Sequence, residues 1–240
     1  NSSPGNKNTQ NSLQLDSLSL KMAHVDIYLV RPQMLDKEVH GFFKTITSTK
    51  EQEKINKKRT DKGKQDALIT RGLIRCVLSR YASVAPIDWT FDTGWNGKPS
   101  VSDECLPTAN DIEFNLSHAN GLIACAITKS QPLGIDVEYT KRKSDIYKLA
   151  PRYFSESENR DLQTKPYNEQ PLEFYKYWTL KESYIKACGG GLSIPLNHFS
   201  FDITKPDDIR LSFDTARNDT PAHWKSFLFD VTEDHKMALT

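Results

Sequence analysis

Two long stretches of the chain carry apolar residues at helical spacing. Over residues 66–81 and again over 173–187, large apolar side chains recur every three or four positions. This spacing predicts an amphipathic helix in each stretch. A Cys-Gly-Gly-Gly sequence at 188–191 follows the second stretch and predicts an abrupt end to that helix.

Period-two alternation predicts the strands. It occurs at His24–Val30, Ile112–Leu116, Leu122–Thr128 and Leu133–Tyr139. The Asn-Gly pair at 120–121 joins the second and third of these strands and predicts a tight hairpin. Polar residues over 141–170 predict one short helix and a loop, and the alternating tail over 197–238 predicts a small antiparallel meander.

A sequence pattern that occurs twice suggests how these elements are organised. Val25-Asp26-Ile27 and Ile135-Asp136-Val137 are both strand-like, they lie 110 residues apart, and the same offset lays Arg71 on Lys181. We therefore expect an α+β fold of two similar halves, 22–130 and 131–240, with a cleft between them. The Asn-, Ser- and Gln-rich residues 1–21 are expected to be a disordered leader or an expression remnant, with Met22 as the natural start.

Composition narrows the class of protein. The chain has 240 residues and a net charge of +1, so no whole-protein field points to nucleic acid. The four cysteines form no Cys-x-x-Cys pair, and no apolar run reaches the roughly 18 residues of a membrane span. We expect reduced thiols in a cytoplasmic protein.

Several basic or loop-end residues have two possible roles. Residues 50–64 hold seven basic side chains against three acidic ones, which fits a solvated helix face or a clamp for a phosphate-bearing ligand. Arg71 can pair with a carboxylate or present its guanidinium to a ligand together with that of Arg75, one turn on. Lys98, on a Gly/Pro turn, can be idle or touch a phosphate, and Ser117 and His118 at a strand end can be structural or ligand-binding.

Two acidic clusters suggest a metal. Asp136 and Glu138 lie on the same face of a strand and repel each other unless solvent, a base or a cation intervenes. Trp178, Glu182 and Lys186 share one helical face at i, i+4 and i+8. Ordinary solvated surfaces remain possible for both, and the alternative is a set of oxygen ligands for a hard divalent ion such as Mg²⁺.

Three segments in order resemble the signatures of a known family. Phe114–His118, Gly134–Glu138 and Trp178–Lys186 are similar to the three motifs of the Sfp-type 4′-phosphopantetheinyl transferases. The Gly97-Lys98-Pro99 turn and the Gly189–Leu192 segment add to a resemblance that spans residues 23–238. It implies transfer of the 4′-phosphopantetheine arm of coenzyme A to a serine of an apo acyl or peptidyl carrier protein, with release of adenosine 3′,5′-bisphosphate. It also implies a pseudo-twofold pair of α+β halves.

The resemblance further implies roles for individual residues. Asp136, Glu138 and Glu182 match the family's Mg²⁺ ligands, and Lys186 matches a lysine at the reacting phosphates. Coenzyme A contacts are implied for Lys54, Arg71, Lys98, Ser117 and His118. Glu182 is the candidate base for the carrier serine, directly or through a metal-bound water.

The chain departs from the family at two places. Asp66 stands where many relatives carry a basic residue, so we expect one coenzyme A contact to be either missing or replaced by Lys64 or Arg71. The sequence also ends inside what resembles the family's last strand, so we expect a truncated chain.

Two other functions remain open at this level. A Mg²⁺-dependent hydrolase of a nucleotide or of coenzyme A would use the same carboxylates, and a non-catalytic carrier-protein binder would retain only the fold. Carrier proteins are typically acidic, so the basic residues 141–143 or the apolar face of the 173–187 helix are the candidate docking surfaces. The alternative for residues 141–143 is an ordinary solvated loop. We expect a monomer, and the carrier's pathway (fatty-acid, polyketide or nonribosomal-peptide) is not defined by the sequence.

Overall fold

A computed structural model describes residues 24–94, 97–105, 111–189, 193–214 and 217–240. The predicted leader, residues 1–21, lies outside this range. Among the described residues, no helix combines the length and the apolar character needed to cross a bilayer.

The first sheet holds strands β1 (Val25–Val30), β4 (Ile112–Ala119) and β5 (Leu122–Lys129). Its order is β1-β5-β4, and both pairings are antiparallel. The central β5 is buried along all but its last residue. Gly121 adopts a φ of +84° at the turn between β4 and β5, as the Asn-Gly pair predicts.

Three helices cover one face of this sheet: α1 (Lys37–Ile46), α2 (Thr49–Asn56) and α3 (Asp61–Leu78). The basic segment 50–64 is divided between α2 and the first turn of α3, because Thr60 caps a new helix there. The predicted 66–81 helix therefore begins five residues earlier, at Asp61. Strands β2 (Phe91–Thr93) and β3 (Pro99–Val101) form a separate two-stranded ribbon.

The second sheet repeats the connectivity of the first. It contains β6 (Ile135–Tyr139), β9 (Phe227–Thr232) and β10 (His235–Leu239), in the order β6-β10-β9. In each sheet the first strand of the half lies antiparallel beside the last, and the last forms a hairpin with the strand before it. This confirms the predicted α+β fold with two similar halves; the boundary at residue 130 remains a prediction.

The second half has helices α4 (Ile146–Tyr153), α5 (Glu156–Thr164) and α6 (Gln170–Cys188). Residues 141–170 thus hold two short helices and the start of a third, where one short helix was predicted. Ser155 separates α4 from α5 because its side chain and that of Glu158 form a capping box. Helix α6 ends at Gly189, whose φ of +66° terminates it as expected.

The prediction of a single meander in the tail is wrong. Among the described strands, β7 (Phe199–Asp202) and β8 (Arg210–Phe213) pair only with each other, whereas β9 and β10 join β6. Alternation in the sequence identifies a strand but not its partner. All five residues of β10 are buried, as its central place in the sheet requires.

The two sheets meet edge to edge through side chains. Ile135 N donates to Asn115 Oδ1 at 2.8 Å, and Val137 N donates to Ser117 Oγ at 3.0 Å. Behind this junction, the apolar residues of β5, β6 and β10 form one shared core: Leu122, Ala124, Ala126, Ile135, Val137, Met237 and Leu239. The junction fixes β6, and with it the acidic face, against β4.

Candidate active site

Asp136 is a buried carboxylate with an unsatisfied oxygen. The residue is 7% exposed, its Oδ1 lies 3.5 Å from Ser117 Oγ, and its Oδ2 is buried without a hydrogen-bond partner. Burial raises the pKa of Asp136 well above its ordinary value; Lys186 opposes this, and the nearby Glu138 and Glu182 add to it. An unpaired buried carboxylate oxygen is costly, so this position is suited to a cation.

Glu138 and Glu182 face the same space from β6 and α6. Trp178 Nε1 donates to Glu138 Oε1 at 3.2 Å, and the indole stacks on Phe174 with ring centroids 5.8 Å apart. Burial raises the pKa of Glu182, the charge of Glu138 raises it further, and Lys186 opposes the shift. The two glutamates are thus close enough to influence each other electrostatically.

Lys186 lies at the junction of the two sheets. Its Nζ donates to Leu116 O at 2.8 Å and to Ile135 O at 2.6 Å. Burial lowers the pKa of Lys186, and Asp136, Glu182 and Glu138 oppose that shift. The predicted cluster of one ammonium among three carboxylates is therefore present, although the ammonium binds backbone carbonyls that the sequence did not reveal.

Lys98 lies at the base of this cluster. Its Nζ donates to Leu133 O at 2.9 Å and to Lys186 O at 2.8 Å. Burial lowers the pKa of Lys98, while the charge of Glu113 opposes the change. Lys98 thereby connects the 97–99 turn to the end of α6 and to the strand that carries Asp136; a phosphate contact for it stays a prediction.

The other predicted ligand residues lie further out. Lys54 is exposed on α2, and His118 is exposed near the tip of the β4–β5 hairpin. Burial lowers the pKa of Arg71 beside Glu51 and Arg75. Among the contacts of the described residues, none joins these three side chains to the cluster of Asp136, Glu138 and Glu182.

Arg75 has a structural role. Its guanidinium is buried, pairs with Glu51 and donates to the carbonyls of Pro86, Ile87 and Trp89. The reading in which Arg75 and Arg71 together present guanidiniums to a ligand is therefore wrong for Arg75, which holds α2 and the 86–89 segment on α3. The alternative reading, pairing with a carboxylate, is the correct one.

A cavity of about 660 Å³ opens between the halves at the tips of the two hairpins. Its walls include Arg31, Lys62, Asn120, Tyr139, Thr232 and His235. None of Asp136, Glu138 and Glu182 lines it. Its lining is therefore distinct from the carboxylate cluster, although Tyr139 directly follows Glu138 and Asn120 lies two residues after His118.

The carboxylates of Asp136, Glu138 and Glu182 are the type of ligand that a hard divalent ion prefers, but they do not converge on one point. In the parts of the chain that the structure describes, no three His, Cys, Asp or Glu side chains converge as a metal site. The oxygen-only donors and the unpartnered Oδ2 of Asp136 match what Mg²⁺ requires.

Sequence reasoning gave Asn115 no separate role. Its buried side chain accepts a hydrogen bond from the Ile135 amide and so aligns β6 at the site. A buried asparagine in the middle of an apolar strand is itself a signal, because its polar atoms must find partners.

Comparisons with known proteins agree with this arrangement. Residues 132–240 match the 4′-phosphopantetheinyl transferase superfamily, and residues 35–130 match the 4′-phosphopantetheinyl transferase N-terminal family. The 4′-phosphopantetheinyl transferase Sfp of Bacillus subtilis strain 168 is 35% identical over 89% of this chain and 89% of its own length. A second Bacillus subtilis 4′-phosphopantetheinyl transferase is 36% identical over 78% of this chain and 80% of its own.

A partial likeness to a solved structure also exists. The Thermotoga maritima holo-[acyl-carrier-protein] synthase AcpS aligns with 45% of this chain and 60% of its own, with a TM-score of 0.37 and 23% identity. This match is too limited to add to the assignment.

The fold, the carboxylate cluster and the similar proteins together define an enzyme that transfers a phosphopantetheinyl group. The chain belongs to the 4′-phosphopantetheinyl transferase family, and to its Sfp type. It moves the 4′-phosphopantetheine arm of coenzyme A to a carrier protein.

Proposed function

We propose that Asp136, Glu138 and Glu182 hold Mg²⁺ while the chain transfers phosphopantetheine to an apo acyl carrier protein. The observation that carries the proposal is the buried, unpartnered Oδ2 of Asp136 with two more carboxylates in reach. When bound there, the ion would neutralise charge on the diphosphate of coenzyme A.

Lys186 supplies a compact positive charge for the same phosphates. An ammonium has three N–H donors, and two of those on Lys186 go to the carbonyls of Leu116 and Ile135. The third is available for a phosphate oxygen. The two carbonyls hold the nitrogen in place, so little reorganisation is needed when charge develops during transfer.

Glu182 is the proposed base. Its raised pKa suits a group that takes the proton from the carrier serine as the hydroxyl oxygen bonds to phosphorus. The bond from that phosphorus to the bridging oxygen breaks, and adenosine 3′,5′-bisphosphate leaves. Coenzyme A is contacted beside the carboxylate cluster by Ser117, His118 and Lys98. Its nucleotide end is contacted by Lys54 and Arg71.

The carrier docks on the basic loop 141–143 in this proposal. The alternative surface, the apolar face of the 173–187 helix, is packed inside the second core. Lys141 is exposed, and Tyr147 and Tyr167 of the same half stack on each other at 50% and 76% exposure. A basic, aromatic surface is complementary to an acidic carrier. We further propose that the enzyme acts as a monomer in the cytoplasm.

The test is the intact mass of an apo acyl carrier protein incubated with this enzyme, coenzyme A and Mg²⁺, beside a reaction with EDTA. We expect a gain of about 340 Da, the mass of the arm, which EDTA and the Glu182→Gln variant both abolish. Coenzyme A consumed without a gain in carrier mass would indicate a hydrolase. Metal-independent coenzyme A binding without turnover would indicate a carrier-protein binder.

A further inference from the structure

The turn at the tip of the β4–β5 hairpin makes polar contacts with other elements. Ser117 and His118 lie two or three residues before the turn at Asn120-Gly121. The cavity of about 660 Å³ lies directly against Asn120 and Gly121. Ala119 and Leu122, which flank the turn, pack in the shared core. On the cavity side, the turn residues Asn120 and Gly121 are held by the hydrogen bonds that reach Asn120.

The principal contact comes from the other half of the molecule. His235 begins β10, is 8% exposed, and its Nε2 lies 2.6 Å from Asn120 O. Its Nδ1 lies 2.6 Å from Thr232 Oγ1, which also accepts a hydrogen bond from Asp234 N at 3.1 Å. Lys62 Nζ contacts Asn120 Oδ1 from helix α3.

These partners define which ring nitrogen of His235 carries the proton in the neutral imidazole. A carbonyl oxygen only accepts, so Nε2 of His235 carries the proton and donates to Asn120. In the neutral ring, Nδ1 then accepts from the Thr232 hydroxyl. Tyr139 packs beside the ring with centroids 5.4 Å apart. The imidazole is thus fixed on both nitrogens and cannot turn away without losing a partly buried hydrogen bond.

We infer that His235 is a positioning residue for coenzyme A binding. By holding the Asn120 carbonyl, it sets the position of the strand end that presents Ser117 and His118 to the ligand. The inference rests on the proposed coenzyme A contacts of those two residues. It assigns no role to His235 in the chemical step, because the carboxylates and Lys186 are held by other contacts.

The first test separates KM from kcat. In His235→Leu, which keeps the bulk and removes the donor, we expect the KM for coenzyme A to rise about five- to tenfold, the effect of losing one buried hydrogen bond. The kcat should change less than twofold. His235→Gln should restore most of the affinity, because its amide nitrogen can reach the same carbonyl. His223→Leu, at an exposed histidine of the same half, is the matched control and should leave both constants unchanged.

A merely structural role predicts a different result. Partial unfolding lowers the active fraction and hence kcat, but it leaves KM unchanged. An unchanged KM in His235→Leu, or an equal rise in His235→Gln, would overturn the inference.

Hydrogen–deuterium exchange keeps this test distinct from that of the proposed function. The peptide spanning 116–124 should exchange faster in His235→Leu than in wild type or His223→Leu, with or without coenzyme A. If the wild type does not transfer the phosphopantetheine arm, the proposed function fails. The exchange measurement still tests whether His235 holds the hairpin. Equal exchange in all three proteins would show that His235 does not hold the hairpin.

Discussion

At the scale of single residues, the site opposes stability. Asp136 is buried among Glu138, Glu182 and a single lysine, and one of its oxygens has no partner. Burying a charge without full compensation costs free energy, and the group responds by favouring its neutral form. The position is therefore costly for stability, and a bound cation, as proposed for this site, would offset that cost.

Replacing this carboxylate should stabilise the protein while removing its activity. In EDTA at neutral pH, Asp136→Asn should raise the free energy of unfolding by about 1–2 kcal/mol, since a neutral amide replaces a poorly compensated charge. Transfer should fall at least about 100-fold. Urea denaturation and the carrier mass assay measure the two effects. Loss of stability together with activity would show that Asp136 is structural.

The pH dependence should have a defined sign. Because the pKa of Asp136 is raised in the folded state, the folded protein binds this proton more tightly than the unfolded chain does. Stability should therefore fall as pH rises from the ordinary aspartate pKa, about 3.9, through the raised value. In EDTA, the wild type should gain stability on acidification relative to Asp136→Asn. Parallel pH profiles of the two proteins would contradict this.

The sequence predicted which residues belong to the cluster, but not their contacts. Alternation along β6 was sufficient to place Asp136 and Glu138 on one face, because Ile135 and Val137 are apolar and face the shared core. The carbonyl partners of Lys186 could not be predicted. Any lysine can donate to any backbone oxygen, and the tertiary arrangement alone decides which one is near.

At the scale of elements, α6 and β6 approach more closely than side chains allow. A Cβ added to Gly134 would lie 2.0 Å from Ser183 O and 2.5 Å from Ala187 N. Gly134 also exchanges backbone hydrogen bonds with Thr240, the residue directly after β10. Its lack of a side chain thus brings the acidic strand against the helix that carries Glu182.

Gly134→Ala should accordingly separate strand and helix. We expect a loss of about 3 kcal/mol or more, because the obstructing atoms are backbone and cannot rotate away. Gly41→Ala is the matched control: nothing lies within 4 Å of its added Cβ, in an exposed turn of α1, so a gain of about 0.5–1 kcal/mol is expected. Urea unfolding measures both, and similar values for the two variants would refute the close approach.

A buried ion pair joins three elements of the second half. Lys181 Nζ lies 2.7 Å from Glu158 Oε1 and donates to Phe199 O at 2.5 Å. Glu158 also accepts from the amides of Ser155 and Phe201, each at 2.9 Å. The pair therefore connects α6, α5 and β7 inside the core.

Removing one member of the Lys181–Glu158 ion pair should destabilise the protein more than removing both. Lys181→Met should cost about 3–5 kcal/mol, because Glu158 is left charged and buried, whereas Lys181→Met with Glu158→Leu should recover part of that loss. Chemical denaturation of the three proteins gives the comparison. A single variant no less stable than the double would contradict the expected coupling.

At the scale of the whole molecule, the two halves share more than sheet connectivity. In the first half, Glu51 closes a capping box with Ser48 and pairs with Arg75 on the long helix. In the second, Glu158 closes a capping box with Ser155 and pairs with Lys181. The same arrangement occurs twice, which supports the repeat suggested by the sequence.

Sequence reasoning placed this repeat slightly out of register. A fixed offset of 110 residues laid Arg71 on Lys181, whereas Arg75 occupies the corresponding position. Insertions between elements change the offset along the chain, so one matched strand cannot align a distant helix. The edge-to-edge junction of the sheets through Asn115 and Ser117 was also beyond prediction, because it depends on contacts between halves.

The central claim is that β6 and α6 together form a divalent-cation site. The most direct measurement is calorimetric titration of Mg²⁺ into the wild-type enzyme and into Asp136→Asn, both saturated with coenzyme A. We predict saturable binding to the wild type and at least about tenfold weaker binding to the variant, which has lost a charged oxygen ligand. Equal affinity in the two proteins would contradict the claim.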